Sequence, residues 1–222
     1  MILIIKLYKG DCIKLMQDVP NQSIDMILCD LPYGTTKCAW DVIIPFDPLW
    51  EQYNRVIKDN GAIVLFGIEP FSSYLRLSNI NNYRYDIIWK KPNNTNFMRL
   101  KYEIGKRHEI ISIFYKKQPV YNPQMEEGKP YKDKRTKRKS WEGINDQSVK
   151  IPIDNKGTRY PSSVQEFCNV NRGTLHPTQK PVALCEYLIK TYTNEGETVL
   201  DNCMGSGTTG IACLNTNRNF IG

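Results

Sequence analysis

Short apolar runs alternate along the chain with segments in which apolar residues recur at helical spacing. The runs at residues 24–29 and 62–66 are almost continuously apolar, which is typical of strands covered on both faces. Residues 48–58, which lie between them, carry apolar side chains at a helical period. Strands that alternate with helices in this way predict an α/β fold with a largely parallel sheet.

The same patterns predict the other elements of this fold. Further strands are predicted at residues 3–8, 85–89, 109–115, 198–200 and 219–221. Further helices are predicted at residues 11–18, 70–79, 177–191 and 207–214. Asp11 is placed to cap the first of these helices, and Asn60-Gly61 predicts a turn just before the strand at 62–66.

One segment breaks the alternation. Residues 116–173 are polar and rich in Pro, Gly and Asn, and the run 129–139 holds seven Lys or Arg residues against one Asp. We expect an inserted segment with little core of its own; a plain disordered loop is the alternative. The sequence therefore predicts one domain in two halves, residues 1–115 and 174–222, with a basic insertion at 116–173.

The charge balance favours a polyanionic partner. Lys and Arg outnumber Asp and Glu by 30 to 23, and an apolar content of 41% supports a core. Nucleic acid is the simplest polyanion, although a basic surface that serves only solubility is the alternative. Seven scattered cysteines without a Cys-x-x-Cys pair, and only two histidines, argue against disulfides and a metal site and favour the cytoplasm. No apolar run approaches the roughly 20 residues of a membrane span, and the N-terminus does not resemble a signal peptide.

Gly205-Ser206-Gly207 follows a predicted strand and opens a predicted helix. Glycine permits positive φ there, and amide groups at a helix start can meet an anion or a ribose hydroxyl. Asp201 lies at the strand exit, where ligands of open α/β sheets bind. An acid that grips the ribose is expected about 20 residues after the glycines, which is past Gly222. We therefore expect a C-terminal continuation that carries it; the alternative is that the acid is absent and cofactor affinity is lower.

The segment Asp30-Leu31-Pro32-Tyr33 ends the apolar run at 24–29 and suits a planar ring that bears an amine. An exocyclic amine of a base is a poor nucleophile, because its lone pair is delocalised into the ring. Acceptors on its two N–H bonds, the Asp30 carboxylate and the Leu31 carbonyl, would aim that lone pair at an electrophile. Pro32 stiffens the turn, and Tyr33 offers a face for stacking. The alternative is a strand-to-turn junction with a packed tyrosine.

Three segments occur in one order: Asp30–Tyr33, then His176-Pro-Thr-Gln-Lys-Pro181, then Asp201–Thr209. Together they resemble the S-adenosylmethionine-dependent amino DNA methyltransferases of the beta arrangement, the N6-adenine and N4-cytosine family. The resemblance covers nearly all of the chain outside 116–173. It implies a Rossmann-like methyltransferase sheet with a circularly permuted motif order and an inserted basic target-recognition segment. The chain departs from the family pattern at Leu31, where proline is usual, and at Asn202-Cys203, where Pro-Phe is commoner.

The resemblance also implies roles for individual residues. The implied catalytic residues are Asp30, Leu31, Pro32 and Tyr33. The implied cofactor-binding residues are Asp11, Cys12, Asp30, His176, Thr178, Gln179, Lys180, Asp201, Met204, Gly205, Ser206, Gly207 and Thr208. Among them, Lys180 would pair with the cofactor carboxylate and Asp201 with its ammonium group. The implied DNA-binding residues are Lys129, Lys132, Lys134, Arg135, Lys137, Arg138 and Lys139.

By this resemblance the substrate is a base flipped out of double-stranded DNA. Family members with a leading Asp and a final Tyr in the catalytic motif tend to act on adenine N6, so adenine is favoured here. Cytosine N4, RNA and a protein glutamine amide are alternatives, as is a non-catalytic DNA-binding module with the same fold. A homodimer, a cognate restriction enzyme and the cytoplasm of a bacterial or phage-infected cell are further expectations.

Overall fold

The computed structural model describes residues 3–36, 38–133, 153–168 and 179–222. The chain forms two compact units, one of Met1–Asn122 with Ser163–Gly222 and one of Pro123–Ser162. The strands are β1 (Ile5–Lys6), β2 (Ile24–Cys29), β3 (Ile57–Gly67), β4 (Tyr83–Lys90), β5 (His108–Phe114), β6 (Glu126–Glu127), β7 (Tyr131–Asp133), β8 (Ile153–Asn155), β9 (Thr158–Arg159), β10 (Val164–Glu166), β11 (Thr198–Leu200) and β12 (Asn219–Ile221). The α-helices are α1 (Cys12–Met16), α2 (Phe46–Val56), α3 (Phe71–Ser78), α4 (Val182–Tyr192) and α5 (Thr208–Asn215).

The first unit is built on an eight-stranded sheet in the order β1-β12-β11-β2-β3-β5-β4-β10. Neighbouring strands run parallel except where β5 pairs with β3 and with β4. The prediction of an α/β fold with a largely parallel sheet is therefore confirmed. Because β5 runs against its neighbours, its first residue lies at the same edge of the sheet as the carboxyl ends of β3 and β4.

Strand β2 shows why the sheet carries helices on both faces. Met26 and Leu28 pack in one core cluster with residues of α4 and α5. Ile27 and Cys29 point the other way and pack in a second cluster with residues of α2 and α3. All four side chains are fully buried, so the nearly continuous apolar run reports burial on both faces.

The predicted turn at Asn60-Gly61 is wrong, because both residues lie inside β3. The pairing of β2 with β3 shifts register between Ile24 and Met26, and this irregularity accommodates residues 58–61. A Cβ at Gly61 would lie 2.8 Å from the backbone oxygen of Asp25. Glycine is needed there for close approach of two strands rather than for a chain reversal.

Two further differences concern where helix α4 begins and the presence of strand β10. Helix α4 begins at Val182 rather than near residue 177, because Pro181 adopts an extended conformation (φ −64°, ψ 132°) at its N-cap. Strand β10 was not predicted, since it lies within the polar segment 116–173, yet it pairs with β4 in the main sheet. Its stability comes from the ladder rather than from its own apolar content, and sequence periodicity carries no signal of that.

The second unit consists of two antiparallel pairs, β6 with β9 and β7 with β8. Within it, the Arg159 guanidinium lies 4.7 Å from the centre of the Tyr131 ring, and Lys132 pairs with Asp154 at 3.2 Å. Lys129 and Lys132 are exposed. The other predicted DNA-binding residues, Lys134, Arg135, Lys137, Arg138 and Lys139, lie outside the described residues. Within the described ranges, no helix is long and apolar enough to cross a membrane.

Candidate active site

A cavity of about 800 Å³ opens at the carboxyl ends of β2 and β11, which are adjacent parallel strands. Asp30 follows β2 and Asp201 follows β11, so the two carboxylates enter the cavity from the same edge of the sheet. The predicted site residues that line it are Asp30, Leu31, Pro32, Tyr33, Gln179, Lys180, Asp201, Met204, Gly205, Ser206 and Thr208. Two motifs that are about 170 residues apart in sequence therefore share one cavity.

Both carboxylate oxygens of Asp30 have partners in the cavity wall. The Tyr33 hydroxyl donates to Oδ1 at 2.5 Å, and Nζ of Lys180 donates to Oδ2 at 2.6 Å. The Tyr33 ring packs against Phe71 with 5.1 Å between ring centres. Burial, reinforced by the negative charges of Asp30 and Glu109, raises the pKa of Tyr33 well above its usual value, so its hydroxyl remains a neutral donor. The side chain of Leu31 is buried in the core, which leaves its backbone as the part suited to contact a ligand.

A buried charge network surrounds Asp30. Nζ of Lys180 also lies 3.4 Å from Oε2 of Glu109, and Glu109 forms a second ion pair with Lys91. Burial would raise the pKa of Glu109, but the charges of Lys180 and Lys91 outweigh burial and hold it below its usual value. Burial would lower the pKa of Lys180, but Asp30 and Glu109 raise it. Glu109 and Lys180 therefore both stay ionised at neutral pH.

Sequence reasoning missed Glu109 and Lys91, and it assigned Lys180 a different contact. Glu109 could have been identified from the sequence as an acidic residue at the start of an apolar strand, directly before Ile110. Lys91 follows β4, and the antiparallel pairing of β4 with β5 places the two residues at one edge of the sheet. The prediction that Lys180 pairs with a cofactor carboxylate stays a prediction; its contacts here are with Asp30 and Glu109.

Asp201 is 3% exposed and is held by two hydrogen bonds. The Cys203 amide donates to Oδ1 at 3.1 Å, and the Thr209 hydroxyl donates to Oδ2 at 2.7 Å. Burial raises the pKa of Asp201 to about 6, although both hydrogen bonds act in the opposite direction. A cationic group in the cavity would stabilise its ionised form.

The glycine turn leaves room for a ligand. Gly205 and Gly207 have φ values of +52° and +79°, in the left-handed region that favours glycine. A Cβ at Gly205 would meet no atom closer than 4.0 Å, so this part of the cavity wall is open. Gly207 is the N-cap of α5, and its amide donates to the Met204 carbonyl at 2.8 Å. It shapes the turn and is not among the described residues that line the cavity.

Asp11 and Cys12 do not line the cavity within the part of the chain that the structure describes. Asp11 is the N-cap of α1, where Oδ1 accepts from the amides of Ile13 and Lys14, so the capping prediction is confirmed. A hydrogen bond with the Cys203 thiol and burial raise the pKa of Cys12, which therefore stays protonated next to a cavity residue. His176 and Thr178 lie outside the described residues.

The loop after Tyr33 is organised by Asp41, a third residue that sequence reasoning missed. Its carboxylate accepts from the amides of Gly34, Thr35 and Thr36 at 2.9, 2.9 and 2.6 Å. Burial would raise the pKa of Asp41, but these amides and the Thr36 hydroxyl lower it. The loop carries Trp40, which lines the cavity although the residue is 54% exposed.

Comparisons with known proteins agree with this architecture. The family model described as DNA methylase matches residues 24–222. The chain is 30% identical to the type II methyltransferase M.HpaI of Haemophilus parainfluenzae over 232 residues, which cover 98% of this chain and 69% of that protein. It spans about two thirds of the length of the curated type II methyltransferases that it matches.

Two solved structures extend the comparison. The structure of the M1.HpyAVI–SAM complex is 27% identical, with a TM-score of 0.65 over 99% of this chain and 92% of that one. The cytosine-N4-specific PvuII DNA methyltransferase is 16% identical, with a TM-score of 0.71 over 98% of this chain and 80% of that one, and shows the shared fold. The matched family model spans the strand that leads into Asp30, the cavity and the glycine turn. The chain therefore belongs to the N6/N4 DNA methylase family.

Proposed function

We propose that this chain transfers a methyl group from S-adenosylmethionine to N6 of an adenine that is flipped out of double-stranded DNA. The observation that carries the proposal is the shared cavity: the carboxylate suited to bind an amine and the glycine turn suited to a nucleoside line the same space. Its volume lies within the usual range of small-molecule sites, roughly 300–1,000 Å³.

The residues on the glycine side fit this cofactor. When bound, S-adenosylmethionine supplies a methyl group on a positively charged sulfur, which needs no metal and no covalent enzyme intermediate. Asp201 offers a carboxylate to the ammonium group of the methionine portion. The space beside the Gly205 backbone would let the ligand approach it closely. The solved complex of M1.HpyAVI with SAM supports S-adenosylmethionine as the cofactor of this family.

The residues on the other side fit an amine. The Asp30 carboxylate and the Leu31 carbonyl would accept its two N–H bonds, which localises the nitrogen lone pair. Tyr33, held by Phe71 and by its hydrogen bond to Asp30, would stack on the ring of the base, a contact worth roughly 1–3 kcal/mol. Asp30, which would accept from one of these N–H bonds, would also accept the proton that the nitrogen sheds after transfer. Most of the acceleration would come from holding the two reactants in line.

The choice of adenine over cytosine rests on the combination of Asp30 with Tyr33. DNA incubated with the protein and S-adenosylmethionine should be digested to nucleosides and analysed by mass spectrometry. We expect N6-methyladenine, and sequencing of the same DNA for modified bases should give the recognition site. N4-methylcytosine without N6-methyladenine would contradict the choice of base, while no methylated nucleoside at all would contradict the whole proposal.

Cofactor affinity should depend on pH through Asp201. Because the pKa of this carboxyl is about 6, lowering the pH below 6 protonates it and removes its attraction for an ammonium group. Calorimetric titration without DNA should show affinity that is nearly constant around pH 7 and falls by up to about tenfold per pH unit below 6. The Asp201→Asn variant should bind more weakly at neutral pH and lose this dependence. An unchanged pH profile in that variant would show that another group titrates.

We further propose that the basic segment contacts DNA phosphates. The exposed Lys129 and Lys132 begin this segment, and charge of this kind would give affinity that falls with salt. Assembly as a homodimer, pairing with a restriction enzyme and residence in the cytoplasm stay predictions.

A further inference from the structure

The connection between β4 and β5 exposes a cluster of large apolar side chains. Phe97, Met98, Tyr102 and Ile104 are 71%, 81%, 86% and 94% exposed. We call residues 97–104 the apolar tip. Single exposed apolar residues are common on proteins, but four large apolar side chains exposed within eight residues of the chain indicate an interaction surface.

The apolar tip is held in a defined conformation by the residues on either side of it, 91–96 and 105–107, which we call the stem. The Asn96 side chain accepts from the amide of Lys106 at 2.7 Å and donates to the carbonyl of Ile104 at 3.1 Å. The Thr95 amide donates to the carbonyl of Lys106 at 2.9 Å. A Cβ at Gly105 would lie 2.5 Å from the side chain of Asn94, so the two sides of the stem approach closely. The protein therefore presents the apolar side chains at a fixed place.

The stem also belongs to the active site. Lys91 and Thr95 line the cavity that contains Asp30, and the apolar tip begins two residues after Thr95. The stem therefore connects the apolar tip to the wall of the cavity that we propose receives the target base.

The charges around the apolar tip indicate which partner it fits. Arg99, Lys101, Lys106 and Arg107 are basic, and Glu103 is the one acid between residues 97 and 107. Glu103 pairs with Arg99 at 3.2 Å, which leaves a net positive surface. A second copy of this chain placed tip to tip would meet like charges, whereas DNA offers phosphates to the basic residues and unstacked bases to the apolar ones.

We propose that the apolar tip enters the DNA at the target base pair and acts as a wedge that stabilises the duplex with its base flipped out. This inference rests on the proposed function. The apolar side chains replace the stacking that the neighbouring base pairs lose, and the basic side chains bind the adjacent phosphates. Proteins that insert apolar side chains between base steps stabilise distorted DNA in this manner.

The test compares a wedge variant with wild type on two duplexes. The variant replaces Met98, Tyr102 and Ile104 with serine; all three are highly exposed, so the fold should survive. One duplex contains the paired recognition site, obtained by sequencing modified DNA, and the other has an abasic position opposite the target base. We expect methylation of the paired duplex to fall by roughly tenfold or more, and the abasic duplex, in which the target base is already unpaired, to restore the rate to near wild type.

The matched control replaces Tyr74, Leu77 and Ile80, which are 61%, 69% and 56% exposed on and just after α3, with serine. It should methylate both duplexes as wild type does. An equal loss on both duplexes, or no loss, would overturn the wedge while leaving the methyltransferase proposal intact. Loss of a dimer in light scattering, together with equal loss on both duplexes, would assign the apolar tip to a second copy instead. A wild-type protein that methylates neither duplex would overturn the proposed function, and the wedge with it.

Discussion

The Asp30→Ala variant is expected to lose methyl transfer by roughly 10³-fold or more, while its affinity for S-adenosylmethionine stays within about threefold of wild type. The carboxylate accepts from the target amine in the proposed mechanism, and no other described side chain offers an acceptor at the same place beside Tyr33. The fold should survive the substitution. Lys180, which loses its 2.6 Å partner, keeps Glu109, so its charge is not left unpaired.

Labelled methyl transfer to DNA and calorimetric titration of the cofactor are the two measurements for this variant. Asp59→Ala is the matched control, because Asp59 pairs with Lys117 on the surface, away from the cavity. It should leave both measurements unchanged. If Asp30→Ala lowered the affinity for the cofactor as much as it lowered the rate of methyl transfer, Asp30 would be a cofactor-binding residue rather than the acceptor for the amine.

The Lys180→Met variant is expected to lower kcat by about 100-fold and the free energy of unfolding by about 3 kcal/mol. It leaves Asp30 without its Oδ2 partner and gives the buried network two acids against one lysine. We infer that Lys180 is a positioning residue that fixes the Asp30 carboxylate. If so, cofactor affinity should change little, since the contacts of Nζ are with Asp30 and Glu109.

A double variant separates positioning from stability. Adding Glu109→Gln to Lys180→Met restores the charge balance of the network and should recover part of the lost stability, but kcat should stay low because Asp30 is still unsupported. Lys58→Met is the matched control: Lys58 also pairs with a carboxylate at 2.6 Å, that of Asp25, outside the cavity. It should keep wild-type kcat. A tenfold or greater loss of cofactor affinity in Lys180→Met, with kcat unchanged, would favour the cofactor-carboxylate role predicted from sequence.

The pH dependence of stability gives an independent check on this network. The folded-state pKa of Glu109 lies below its ordinary value, so its ion pairs stabilise the fold above that value and are lost as the pH falls through the folded-state pKa. The pKa of Lys180 is raised, so its contribution is present below its ordinary value and is lost only as the pH rises through the higher folded-state pKa. The contributions of Glu109 and Lys180 are therefore both present throughout the neutral range.

Much of the fold could be predicted because local pattern and burial agree. The bounds of β2 and β11 match their predictions, since an aspartate follows the apolar residues of each strand, and β12 begins where a strand was predicted to begin. The bend at residues 58–61 of β3 and the existence of β10 could not be predicted, because both depend on pairing with strands distant in sequence. The apolar content of these segments does not indicate which strands they pair with.

The candidate site divides in the same way. The sequence by itself determined the chemical groups: a carboxylate with a tyrosine three residues later, a glycine turn after a strand, and their order along the chain. These are local features, which need only a few adjacent residues and their backbone conformation. Only the tertiary structure decided that Asp30 shares Lys180 with Glu109, that Asp11 does not line the described part of the cavity, and that Lys91 and Thr95, below the apolar tip, do line it. The physical reason is that ion pairing and exposure depend on distances between residues far apart in sequence, and strand order in the sheet sets those distances.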